Sequence, residues 1–104
     1  MVIEWLKIRV SAELREKYIQ VDSQVWTPML ASYPGFLGKE IWLDPASSTE
    51  IILIIRWASR QQWKSISSER LVETEQLFLQ ELGASSEIIE EAEYQVQRFD
   101  LTSE

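Results

Sequence analysis

The stretch TEIILIIRWAS, residues 49–59, sets the architectural problem for this 104-residue chain. Extended, it sends Ile51, Leu53, Ile55 and Trp57 to one face of a sheet and Ile52, Ile54 and Arg56 to the other. A strand with one wet face alternates apolar and polar residues, and this one does not. Both of its faces need a cover, in a chain too short for a large core.

The rest of the chain says what supplies the first cover. VIEWLKIRV, residues 2–10, alternates: Val2, Leu6, Ile8 and Val10 share a face with Glu4, while Ile3, Trp5, Lys7 and Arg9 share the other. Ser11 offers an N-cap with Glu13 in the first turn, and Leu14, Tyr18, Val21 and Val25 follow at helical spacing. Pro28 has no N–H to give a helix interior, so the helix is expected to kink or end near Trp26, with Thr27–Pro28 opening a second segment.

YPGF, residues 33–36, is a turn, and FLGKEIWLD after it alternates again, with Leu37, Ile41 and Leu43 on one side and Phe36 and Trp42 on the other. DPASST closes that strand and leads into the opening stretch as its hairpin partner. Ser59 with Gln62 forms a capping box for a brief helix through Trp63. A further helix starts at Ser67 or Ser68, buries Leu71, Phe78 and Leu82, and stops at Gly83. EIIEEAEYQVQRF, residues 87–99, reads as a strand with Ile88, Ala92, Tyr94 and Val96 on one face and Glu91, Glu93, Gln95 and Gln97 on the other; its acidic start leaves a helix as the alternative.

The order βαββαβ predicts an α+β fold of ferredoxin-like type: a four-stranded antiparallel sheet, the first and third strands central, both helical regions on one face. The expectation is one domain over residues 1–104 with its core at about 2–97. Two helices cover one face only. Four strands of about six residues, at about 3.4 Å per residue and about 4.8 Å apart, leave roughly 400 Å² on the other. Monomers seldom expose an apolar patch beyond that size, so a homodimer through the open sheet face is expected, against a monomer shielded by its carboxyl-terminal tail.

What is missing limits the chemistry. Cysteine, histidine and asparagine are absent, which excludes disulfides, thiolate nucleophiles, Cys/His zinc sites, serine–histidine triads and histidine-ligated haem within one chain; no cofactor and no metal are expected. Ten Lys and Arg against 17 Asp and Glu give a net charge of −7, which argues against nucleic acid and against an anionic membrane surface. Glu4, Lys7 and Arg9 interrupt the amino-terminal hydrophobic stretch, and the longest aliphatic run is five residues, so a signal peptide or spanning helix is not expected and the chain is read as cytoplasmic.

Pro34-Gly35-Phe36 opening a strand, Trp57 ending the next, Ser59 at the cap and Trp63 in the following helix resemble the antibiotic-biosynthesis monooxygenase superfamily, the dimeric α/β barrels, over about residues 2–97. The chain looks most like a branch found in cyanobacteria. The resemblance implies a face-to-face dimer of ferredoxin-like sheets and a ligand pocket between helices and sheet. The superfamily's cofactor-free and haem-degrading oxygenases rely on an asparagine, a tryptophan and, in the haem enzymes, a ligating histidine. The haem enzymes' tryptophan falls near Ile66 and their histidine near Glu75 or Gln76, so none of these roles carries over.

The candidate pocket residues are Trp26, Tyr33, Arg56, Trp63 and Phe78. The aromatics either line a pocket for a planar apolar ligand or simply fill a small core. Arg56 either anchors a ligand carboxylate or phenolate, or pairs with Glu40, Glu91 or Glu93. Without histidine, acid–base work would fall to tyrosine or to a buried carboxylate with a raised pKa. Glu4 is the carboxylate whose pattern suggests burial, although its place at a strand start suggests the rim. The functional expectation is binding of a small apolar or aromatic metabolite, the alternative a cofactor-independent monooxygenase of phenols or quinols.

Overall fold

The structure, a computed structural model, describes residues 1–101. Strand β1 (Val2–Arg9) leads through a 3-10 turn at Ala12–Leu14 into α1 (Arg15–Gln24) and α2 (Trp26–Ala31). Strands β2 (Phe36–Trp42) and β3 (Glu50–Trp57) form the hairpin, followed by α3 (Arg60–Trp63), α4 (Ser68–Leu82) and β4 (Glu87–Gln95). The sheet order is β2-β3-β1-β4 with every pairing antiparallel, which is the ferredoxin-like α+β arrangement. No helix among the described residues is long and apolar enough to cross a membrane.

Local chemistry explains most boundaries. Ser59 and Ser67 cap α3 and α4, their hydroxyls accepting from the backbone N–H groups of Gln62 at 3.2 Å and Arg70 at 3.1 Å. Gly83 ends α4 in the left-handed region at φ 71°, which other residues adopt only with strain. Ser11 does not cap as expected. Its side chain makes no capping bond, and its carbonyl instead accepts from Leu14 N–H at 3.0 Å, closing a 3-10 turn before α1 begins. The helix breaks at Val25 as expected, and Pro28 stands in the first turn of α2.

Strand β3 is central, and its two faces now have names. Ile51, Leu53, Ile55 and Trp57 pack under the helices with Ile8, Val10, Tyr18, Val21, Phe78 and Leu82 on one side and Met29, Leu30 and Ile66 on the other. Ile52, Ile54 and Arg56 point to the open face, in register with Lys7, Trp5 and Ile3 of β1. Trp42 of β2, opposite Ile52, and Tyr94 of β4, opposite Ile3, extend that face and are exposed.

Strand β4 departs from the simple alternation. Lys7 pairs with Glu90 but Ile8 with Ile88, leaving Ile89 as an unpaired extra residue. This bulge turns Ile88 onto the helix face with Glu91 and Glu93, while Ala92 and Tyr94 lie on the open face. The expected grouping of Ile88 with Ala92 and Tyr94 is therefore corrected. The buried stripe of α4 is also adjusted: Thr74, Phe78 and Leu82 are buried, whereas Leu71 is 39% exposed at the edge of the helix layer.

Candidate functional site

Between the helix face of the sheet and the helices lies a cavity of about 650 Å³. Its floor comes from helix-facing positions on all four strands: Glu4, Leu6 and Ile8 on β1, Lys39 on β2, Leu53 and Ile55 on β3, Ile88 and Glu91 on β4. Its roof comes from Tyr18 and Asp22 of α1, Trp26 and Leu30 of α2, and Leu71 and Glu75 of α4. Trp63, Lys64 and Ile66 line the wall between α3 and α4. The walls are mainly apolar with a few inward polar groups, the usual make-up of a small-molecule site.

One polar group is a buried ion pair. Lys39 of β2 donates from Nζ to Asp22 Oδ2 at 2.6 Å and to Thr27 Oγ1 at 3.3 Å. Both charged side chains are nearly out of solvent, at 5% and 2% exposure. Burial pushes the Asp22 carboxyl above its usual range, and the Lys39 ammonium pulls it back. Beside it the Tyr18 phenol is held well above the ordinary range, first by burial and then by Asp22 and Glu75. Burial likewise raises Glu75. Tyr18 is fixed from behind by an edge-to-face contact with Phe78 at 4.9 Å.

Glu4 is the second polar group. Burial, the largest influence, raises its carboxyl from 4.5 to about 7; Lys64 and Lys39 work against that rise, and Glu91 adds to it. The indole N–H of Trp57 is buried with no hydrogen-bond partner of good geometry among the described residues. It still lowers the Glu4 pKa slightly, the smallest of these influences, as a donor near the carboxyl. The Lys64 ammonium sits 4.0 Å over the Trp63 ring, and both residues line the same cavity as Glu4. A carboxyl raised in this way accepts or donates a proton near neutrality.

Of the residues singled out in the sequence, Trp26 and Trp63 line the cavity. Tyr33 packs against the cluster of Met29, Leu30, Ile55 and Trp57, and Phe78 is 1% exposed in the core behind Tyr18. Arg56 lies on the opposite face of the sheet. Its Nε and a terminal nitrogen donate to Glu40 Oε1 at 3.0 and 2.6 Å, and Trp42 Nε1 donates to the other Glu40 oxygen at 3.1 Å. These bonds hold the Glu40 carboxyl below its usual range. Lys39, Asp22, Lys64 and Glu75 were not singled out, yet all four reach the cavity. Among the described residues, no cluster of three or more carboxylates is placed to hold a metal ion.

Fold and cavity together define a ferredoxin-like α+β protein with a ligand-sized space between sheet and helices. Residues 1–76 match the antibiotic biosynthesis monooxygenase family, and the chain belongs to it. No curated protein matches the sequence. Among solved structures, a monooxygenase from Streptomyces coelicolor in complex with nanaomycin D is similar at TM-score 0.74 and 14% identity, over 98% of this chain and 92% of that one. A family member from Deinococcus radiodurans is similar at TM-score 0.72 and 13% identity, over 99% of this chain and 100% of that one. A cofactor-independent oxygenase from Streptomyces nogalater follows at TM-score 0.69 and 13% identity, over 94% of each chain. At such identities the likeness is one of fold.

Proposed function

We propose that this protein binds a small, planar, largely apolar metabolite in the cavity between sheet and helices, and that it does so as a homodimer joined through the open sheet face. The cavity carries the reading. Its volume of about 650 Å³ suits a ligand of two or three fused rings. Trp26 and Trp63 offer flat surfaces, and Glu4 and the Lys39–Asp22 pair offer a small number of polar anchors.

Isothermal titration calorimetry against planar aromatic compounds tests this reading. Saturable binding is expected, with Trp26 and Trp63 fluorescence quenched. Leu6→Phe, which fills the floor of the cavity, should abolish binding while the fold is retained. Binding that survives Leu6→Phe, or no binding by any compound of the panel, would overturn it.

The dimer draws on the residues left uncovered. Ile3, Trp5, Ile52 and Tyr94 share the open face, where Trp42 is 46% and Tyr94 57% exposed. A second copy of the same face covers them by a two-fold axis, each residue meeting its symmetry mate's neighbourhood.

A second reading, a monooxygenase that needs no cofactor and acts on a phenol or quinol, draws on Glu4. A cofactor-free reaction of that class starts by removing a proton from the substrate, and a buried carboxyl raised to about 7 is suited to receive it. Two structures of similar fold are described as a cofactor-independent oxygenase and as a monooxygenase holding nanaomycin D. Oxygen uptake that saturates with an anthrone-like or quinol substrate and is lost in Glu4→Gln would establish this reading. Uptake at the uncatalysed rate, the expected result, leaves the binding reading alone.

A further inference from the structure

The cavity has an open end and a closed one. Leu71 and Glu75 of α4, Glu87 and Glu91 of β4, and Lys64 line it at the β4 edge of the sheet, and all of them are exposed. Under α1 and α2 the lining is buried: Tyr18, Asp22, Leu30 and Leu53 are each 5% exposed or less, and the Lys39 side chain is 5% exposed. The sheet order β2-β3-β1-β4 puts the two ends at opposite edges, three strand spacings or about 14 Å apart. A ligand of two or three fused rings entering between α4 and β4 carries its leading edge to the buried end. Glu75, Glu87 and Glu91 against Lys64 make the mouth acidic, which disfavours an anion.

The buried end holds unspent hydrogen-bonding capacity. An ammonium has three donors, and Lys39 uses two of them, on Asp22 Oδ2 and Thr27 Oγ1. Asp22 Oδ1 and the Tyr18 hydroxyl have no hydrogen-bond partner among the described residues. Neither is sealed in protein, because the Trp57 indole nitrogen is the one fully buried side-chain polar atom without a partner among those residues. Both side chains line the cavity, so the cavity is the space that these oxygens meet. A free donor on Lys39 and a free acceptor on Asp22 therefore stand side by side at the end of a largely apolar slot. Tyr18, one helical turn from Asp22, can turn its hydroxyl to serve either sense.

The pair is neutral as a whole, and each half selects. A ligand carboxylate arriving here meets Asp22, and an ammonium meets Lys39. A lone ketone satisfies Lys39 but leaves Asp22 Oδ1 out of water and without a donor. We propose that this inner cluster reads a neutral donor–acceptor edge on the ligand, of the kind a planar cyclic amide presents: the amide N–H donates to Asp22 Oδ1 and the amide carbonyl accepts from Lys39 Nζ. The inference rests on the ligand-binding reading given above. A single hydroxyl would have to turn one oxygen to both partners. A cyclic amide carries donor and acceptor on adjacent atoms and keeps them in the plane of its rings. Both of its hydrogen bonds are to charged groups, which makes them stronger than bonds between neutral ones. The cluster thereby orients the ligand, with its amide edge inward and its apolar rings toward the mouth.

Three probes test this by calorimetry. Phenanthridinone is a three-ring lactam with its N–H beside its carbonyl. Acridone is its isomer, with the same two groups on opposite sides of the central ring, and N-methylphenanthridinone keeps the carbonyl but has no donor. Wild-type protein should bind phenanthridinone about tenfold or more tighter than either of the others, the effect of leaving one charged partner unanswered. Asp22→Asn keeps an oxygen for Lys39 and turns an amide N–H toward the cavity, so the lactam N–H then meets a donor. In that variant phenanthridinone should weaken about tenfold while acridone changes little, so that the preference disappears. A merely structural role for Asp22 would weaken all three probes alike. Equal binding of the three by wild-type protein, or a preference that survives Asp22→Asn, would overturn the proposal and leave the cavity as a binding site without this selectivity. The wild-type comparison decides the matter if Asp22→Asn does not fold. If none of the three binds, the ligand-binding reading fails and this one with it.

Discussion

Lys39 Nζ lies 2.6 Å from Asp22 Oδ2, joining the sheet to α1 by an ion pair at the cavity wall from which solvent is almost excluded. Two charges taken out of water are held there by each other and, for Lys39, by Thr27. Removing one partner leaves the other buried alone. Lys39→Met is expected to cost about 3 kcal/mol in urea unfolding. Asp22→Asn keeps an acceptor for the ammonium and should cost less, and the double variant Lys39→Met with Asp22→Leu should recover much of the loss. Equal stability of Lys39→Met and wild type would show that the pair contributes nothing.

Ile52 and Leu53 are neighbours in sequence and point to opposite faces of the sheet. Leu53 is 4% exposed beneath the helices, so Leu53→Glu should prevent folding, since it buries a further carboxylate in a cavity where carboxylates already outnumber ammonium groups. Ile52→Glu should leave a folded subunit but place like charges across the two-fold, giving a soluble monomer. Light scattering of wild type and Ile52→Glu decides this. Wild-type protein that is monomeric at micromolar concentration would remove the dimer.

Much of the fold was legible because its signals are local: period-two alternation in β1 and β3, the Ser59 and Ser67 caps, and the Gly83 stop. In β2 a bulge at Leu37 puts Phe36 on the helix side with Ile41, not on the open side with Trp42 as expected. The two-faced character of residues 50–57 followed from strand geometry, and only the assignment of each face to helices or solvent needed the structure. The face of Ile88 was not legible, because nothing in EII says which isoleucine will be the unpaired one of a bulge. Arg56 and Glu40 were one of three possible pairings until the β2–β3 register chose among them.

The cavity's polar groups left a fainter trace. Lys39 interrupts the apolar side of its strand, and Asp22 stands one helical turn from Tyr18 on a face that packs inward. Each looks like a flaw taken alone. They make sense as complementary charges only when the helix is laid over the sheet, which is information at a sequence separation of 17 residues.

Gly35 and Gly83 both have positive φ, at 93° and 71°, but they should tolerate alanine differently. A Cβ at Gly83 meets nothing closer than Lys17 Nζ at 3.9 Å, so the cost is the backbone strain of about 1 kcal/mol. At Gly35 a Cβ would come within 2.5 Å of the Gln62 side chain, whose residue is capped by Ser59. The Gly35 carbonyl also accepts from Ala58 N–H at 2.7 Å, which resists a shift of the turn. Gly35→Ala should therefore destabilise by about 2 kcal/mol or more, strain and overlap combined. Similar melting temperatures for the two variants would contradict this.

Glu4 predicts a pH dependence with a definite sign. Its carboxyl titrates at 4.5 in the reference state and at about 7 when folded, so the folded chain binds more protons between those values. The stability associated with the protonated carboxyl is complete below pH 4.5 and is lost as pH rises through about 7. Asp22 and Glu75 are shifted the same way and Glu40 the opposite way, so the profile of wild-type protein alone mixes several groups. The comparison with Glu4→Gln isolates one, because the other carboxyls are common to both proteins. Relative to wild type, Glu4→Gln should gain on the order of 1–2 kcal/mol between the acidic and neutral ends of that window, after discounting for solvent screening. Thermal unfolding of both proteins at matched pH values measures it. A difference between them that stays constant across the window would mean that Glu4 titrates as an ordinary surface carboxyl, and its place as the base of the cavity would be lost.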